Sequence, residues 1–224
     1  MAVSGSRLKK KSTHEFTFAS FEFAKIYLVR DERIKRGFSA YELSFLLGKD
    51  DHFVKYAENP LEKKRYGIND TNYLWLIFGG PLSAIMPERI EVNSYHVRIT
   101  HYSDGRKDNE YYIEKKDTKD APYEFYREIK VEEKHAELST PSKVFTFEEA
   151  RLFIDELLAD GYFNTPQRAL DIYQKCQLKF GSEFHPRNMI KVLNFYTNKK
   201  SGIPKLNKEK KNEFGRTLFI KLAD

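Results

Sequence analysis

Between Arg89 and Glu133 the hydrophobic residues of this 224-residue chain change their period. On either side they recur every three or four positions, the repeat of a helix with one buried face. In the middle they alternate. Tyr95, Val97, Ile99 and His101 share one side of an extended stretch, and Asp104-Gly105 marks a turn before "EYYIEKK" pairs back. "YEFYREIKVEE" continues as a third strand, with Tyr123, Phe125, Arg127 and Ile129 on one face. Helices, then a small antiparallel meander, then helices again make an α+β chain, of a length that suits one large domain or two small ones.

The helical flanks carry their own punctuation. From about Phe21 to Lys35 the positions Phe23, Ile26, Tyr27 and Ile34 fall on one helical face, and Gly37 stops the helix. Ser39 and Glu42 form a capping box for a second helix, which runs to Leu47 and closes at Gly48. Asp50 is placed to cap a third helix, 51–57, with Pro60 beyond it. Asp70 is placed to cap a fourth, ended by Gly79-Gly80-Pro81. Thr146 and Glu149 make another capping box before "FEEARLFIDELLADG". Pro166 and Pro186 open two further helices, the first lined by Ala169, Ile172, Tyr173, Cys176 and Phe180. "GIPKLNKEKKNEFGRTLFIKL" reads as strand, basic loop, strand. The expected organisation is a basic, disordered tail over 1–15, a five-helix domain over 16–88, the meander over 89–134, a linker over 135–145 and a second unit over 146–224.

Charge separates these parts. The net charge of +6 divides into +4 over residues 1–12, −6 over 13–163 and +8 over 164–224. A polyanion therefore meets the C-terminal third first. On the helix opened by Pro186, Met189, Ile190, Leu193 and Tyr196 point to a core. Arg187, Lys191, Asn194 and Asn198, spaced four, three and four, share the opposite face with Asn188 beside them. Arginine grips guanine, and asparagine adenine, through paired hydrogen bonds. Lys199, Lys200, Lys208, Lys210, Lys211 and Arg216 surround the following basic loop, where they can neutralise phosphates. A solvated helix face and a lysine-rich loop have the same composition; the +8 balance tips the reading towards nucleic acid.

Two resemblances grow from these residues. "VRDER", Gly37, Ser39, Glu42, Leu43, Leu47, Gly48, Val54 and Glu58-Asn59 resemble the helix-turn-helix of the Cro/repressor (XRE) family, over about residues 23–85. That resemblance implies a third helix in the major groove, with the family's polar positions on Asp51, His52, Phe53, Lys55 and Tyr56. His52, Lys55 and Tyr56 are the DNA-facing candidates there. They rank behind the C-terminal set because base edges favour Arg, Lys, Asn and Gln and because Asp51 carries the charge of the phosphates. The element order over 147–222 resembles the winged-helix superfamily, which implies a DNA-contacting helix followed by a two-stranded wing.

Other chemistries find little support. Cys176 is the single cysteine, so no internal disulfide forms, and it lies on an apolar stripe where a thiol is inert. The six histidines, His14, His52, His96, His101, His135 and His185, show no metal-ligand spacing. No glycine-rich phosphate loop and no Ser/His/Asp arrangement is present, so neither an enzyme nor a cofactor is expected. Trp75 is expected in the core. No apolar run approaches the ~18 residues that span a bilayer, and the basic start lacks a signal peptide's apolar segment. The chain thus reads as a cytoplasmic, sequence-specific regulator of bacterial or phage type that binds double-stranded DNA as a homodimer. The alternatives are a protein–protein interaction module that uses helix-turn-helix shapes for association, and a nucleic-acid-binding protein without sequence choice.

Overall fold

A computed structural model describes residues 10–103, 109–131, 145–198, 200, 204–210 and 215–222. In chain order its elements are β1 (Lys10–Ala19), α1 (Ser20–Lys35), α2 (Ala40–Leu46), α3 (Phe53–Ala57), α4 (Ile68–Phe78), β2 (Ser94–Ser103), β3 (Asn109–Lys116) and β4 (Glu124–Val131). Then follow α5 (Phe147–Ala159), β5 (Gln167–Arg168), α6 (Ala169–Phe180), α7 (Pro186–Thr197), β6 (Leu206–Lys210) and β7 (Thr217–Lys221). The strands form two antiparallel sheets, ordered β1-β2-β3-β4 and β5-β7-β6. The α+β class read from the change of period is observed. The turn at Asp104-Gly105 and linker residues 135–144 lie outside the described residues.

Residues 10–15, expected as part of a disordered tail, instead form the first half of β1, which pairs with β2 from Lys10↔Ser103 to Ala19↔Ser94. The three-stranded meander is therefore a four-stranded sheet. Its inner face presents Phe18, Val97, Ile99, Ile113 and Ile129, and α1 covers it with Phe23, Ile26 and Tyr27. The pairings Ile113↔Arg127 and Glu114↔Phe125 leave Tyr126 as an extra residue in β4. This bulge reverses the alternation: Phe125 turns outward, 67% exposed, while Arg127 and Ile129 stay on the side facing α1.

Two of the expected caps are built as read. The Ser39 Oγ accepts from the Glu42 N–H at 3.1 Å, and the Ser39 N–H donates to the Glu42 carboxylate at 2.7 Å. Thr146 and Glu149 repeat the arrangement at 3.1 and 2.8 Å. The other two differ. His52, not Asp50, sits at the N-cap of α3 and makes no side-chain cap bond. α4 begins at Ile68, so Asp70 lies in its first turn, where it accepts from the Gly67 N–H at 3.0 Å. The N-terminal part holds four α-helices and a 3-10 turn at Leu82–Ala84, in place of five helices. Trp75 is 44% exposed, and its indole N–H donates to the Gly80 carbonyl.

The two helical parts share one apolar core. Val29, Leu43, Leu47, Val54, Leu74 and Phe78 are continuous with Ile154, Ile172, Met189, Leu193 and Phe219. One seam between them is at Gly48, where the Thr217 N–H donates to the Gly48 carbonyl at 2.8 Å. Gly48 has φ +66°, and a Cβ there would lie 3.1 Å from the Arg216 Cβ and 3.2 Å from the Thr217 nitrogen. Glycine answers both demands, the left-handed backbone and the close approach.

Candidate nucleic-acid interface

Pro186 occupies the first turn of α7, where its missing N–H costs nothing. From there the helix is amphipathic. Met189, Ile190, Val192, Leu193 and Tyr196 are buried, and Lys191, Asn194 and Asn198 are exposed. Asn188 is half-buried in the first turn. The Tyr196 carbonyl accepts from the Lys205 N–H at 3.0 Å, which fixes the start of the β6–β7 hairpin against the end of α7. Tyr196 Oη and Lys205 Nζ both donate to Asp155 of α5, at 2.7 and 2.6 Å. Burial raises the Asp155 carboxyl, but these donors outweigh it and hold the group below the ordinary aspartate range.

Arg187 and Asn194, placed by the sequence on a base-reading stripe, both touch α2. Arg187 Nε lies 3.2 Å from Glu42 Oε1, and its side chain remains 37% exposed. Asn194 Nδ2 donates to the Tyr41 hydroxyl at 3.2 Å. His185 joins the same cluster, with Nδ1 at 2.8 Å from Glu42 Oε1 and Nε2 at 2.9 Å from the Gly37 carbonyl oxygen. Burial pushes the Glu42 carboxyl up, but hydrogen bonds from His185 and Ser39 outweigh it and hold it below the usual glutamate range. Glu42 thus caps α2 and anchors the start of α7 with one carboxylate. Tyr41, Glu42 and His185 were missed as partners of the α7 stripe. Glu42 was legible only as a cap, because no local pattern announces a contact 145 residues away.

Arg216 has no route to a phosphate. It is 1% exposed, pairs with Asp70 at 3.0 Å and donates to the carbonyls of Asn69 and Leu47. Its guanidinium lies 3.7 Å from the centre of the Tyr73 ring. The other lysines divide. Lys200 is exposed, and its N–H donates to Asn198 Oδ1 at 2.9 Å. Lys208 is exposed, with Nζ 5.7 Å from the Phe45 ring of α2. Lys210 ends β6 opposite Thr217, while Lys199 and Lys211 lie outside the described residues.

The first helix-turn-helix candidate presents His52, Lys55 and Tyr56 to solvent, but with the acidic Asp51 beside them and on a helix of five residues. Three cations of α1 serve the interior. Arg30 and Arg33 converge on Glu58, Arg33 with paired bonds of 2.7 and 2.6 Å. Lys25 is buried, with Nζ donating to the Tyr66 carbonyl; desolvation pulls its ammonium below the ordinary lysine range despite Asp70 nearby. These charges hold α1 to the segments after α3, while Lys35 of α1, with Lys55, Lys63 and Lys64, stays exposed in this part of the chain.

Cys176 is fully buried, and burial pushes its thiol up to about 12. Among the described residues no cluster of His, Cys, Asp or Glu is placed to hold a metal ion, and no helix is long and apolar enough to cross a membrane. Compared with known proteins, the chain matches no family model, no curated protein and no solved structure.

Proposed function

We propose that this chain is a sequence-specific, double-stranded DNA-binding regulator that makes contact through α7 and the β6–β7 hairpin. The observation that carries the reading is the exposed polar stripe Lys191, Asn194 and Asn198, set beside a hairpin that bears Lys208. The succession α5, β5, α6, α7, β6, β7 with strand order β5-β7-β6 supports a winged-helix arrangement, in which the last helix enters the major groove and the hairpin flanks it. Lysine supplies phosphate affinity, and asparagine supplies base choice. In this reading α1–α4 form a repressor-like unit that buttresses α7 through Tyr41 and Glu42. The protein acts as a homodimer on paired half-sites.

Fluorescence anisotropy with a selected duplex tests the assignment. If ~3 to 5 phosphates are neutralised, log K falls against log salt with a slope of about −3 to −5. Lys191→Ala flattens that slope by about one unit on every sequence, whereas Asn194→Ala costs about 1–3 kcal/mol on the selected site and relaxes the choice of sequence. Absence of binding at low salt overturns the reading. The contacts of Arg187 and Asn194 with α2 favour a second reading, in which the helix-turn-helix shapes serve protein association. Self-association by sedimentation without any DNA binding would select it.

A further inference from the structure

One cleft lies away from α7 and the hairpin, and none of its features enters the reading above. It is an open depression of about 420 Å³ between α1, the segment after the 3-10 turn and β4. That volume lies in the range of small-molecule sites, ~300–1,000 Å³. Ala24, Tyr27, Leu28 and Asp31 line it from one face of α1; Met86 and Pro87 form the opposite wall, and Tyr126 and Arg127 close the side. Tyr126 is the bulged residue of β4, so the irregularity that turns Phe125 outward also brings this ring to the cleft.

Two polar groups in or behind these walls have no partner among the described residues, and one of them is within a ligand's reach. The Tyr27 hydroxyl is buried, in a residue only 1% exposed, and has no hydrogen-bond partner. Such a group carries a desolvation penalty of about 1–3 kcal/mol. Burial, with Tyr126 adding to it, pushes its ionisation well above the usual phenol range, so it stays neutral, sealed beneath the wall and out of a ligand's reach. At the rim, Glu88 is exposed and makes no ion pair among the described residues. Asp31 is different: it holds Arg127 with paired bonds of 2.6 and 2.7 Å, and that pair is neutral as a unit. The walls are apolar and aromatic apart from Ser83 and the Asp31–Arg127 pair, and the net charge of the lining, with Glu88 left over, is negative.

From this arrangement we infer that the cleft is a binding site for a small organic amine with a flat apolar body. The apolar part lies against Leu28, Met86, Pro87 and the Tyr126 ring, and the ammonium group faces Glu88. A carboxylate of the same shape meets Glu88 with the wrong sign. No cleft residue belongs to α7 or the hairpin, so binding can be read whether or not the chain binds DNA.

Titration calorimetry of the full chain with tryptamine and phenethylamine tests the assignment, with indole-3-propionate and 3-phenylpropionate as charge-reversed controls. The amines bind saturably and the acids do not. Glu88→Gln, an exposed substitution that keeps shape, weakens the amines about tenfold. The assignment is overturned if acids bind as well as amines, if no amine binds, or if Glu88→Gln retains full amine affinity.

Discussion

Arg216 shows how far a residue's role can depart from its composition. By sequence it is one more cation in a basic loop. In the fold it is sealed between Asp70, two backbone carbonyls and the Tyr73 ring. Breaking a buried ion pair leaves an uncompensated charge and costs about 3–5 kcal/mol. Arg216→Ala therefore lowers the urea midpoint strongly; a phosphate-binding arginine would leave that midpoint in place and alter only the salt slope of DNA binding. Glu42 makes a second prediction at this scale. Its folded carboxyl ionises below the ordinary value of 4.5. Its contribution to stability is therefore complete above that value and is lost as pH falls through the lower, folded one. The stability of Glu42→Gln, followed by urea unfolding, should fall less steeply than that of the wild type below about pH 4.5. What was legible in single residues was local: both capping boxes span three positions, and Cys176 sits on a helical stripe. The partners of Arg187 and Arg216 lie about 145 residues away, and nothing in a local window names them.

Elements were legible where apolar spacing was regular, and α1, α5, α6 and α7 begin within a few residues of their expected starts. β1 escaped notice because residues 11–15 contain no large hydrophobic side chain; the strand is defined by its partner β2. The β4 bulge escaped because a period of two, read along the sequence, has no means of registering an inserted residue. The turn after α2 offers a test at this scale. Gly48 has φ +66°, and an added methyl group there would lie 3.1 Å from the Arg216 Cβ and 3.2 Å from the Thr217 nitrogen. A side chain in the left-handed region costs about 1–2 kcal/mol by itself. Gly48→Ala also forces the start of β7 to move, so chemical denaturation should show a loss larger than that strain alone; a loss within it would show that the contact yields freely.

For the whole molecule, hydrophobic period identified which faces are buried but not what they are buried against. The apolar faces of α2, α4 and α7 looked like the interiors of separate domains, yet they meet in one core, and α1 joins that core to the sheet by burying Val29 in one cluster and Phe23, Ile26 and Tyr27 in the other. A shared core couples the two ends of the chain. Scanning calorimetry should record one cooperative transition, with calorimetric and van 't Hoff enthalpies in agreement; two resolved transitions would show that the helical parts unfold independently. The seam between Leu47 and Arg216, 169 residues apart, also has a consequence in time. Ribosomes add about 5–20 residues per second, so roughly ten to thirty seconds pass between synthesis of the two sides. For that interval the newly made α2 and α4 expose the leucines and phenylalanines that α7 and β7 later cover.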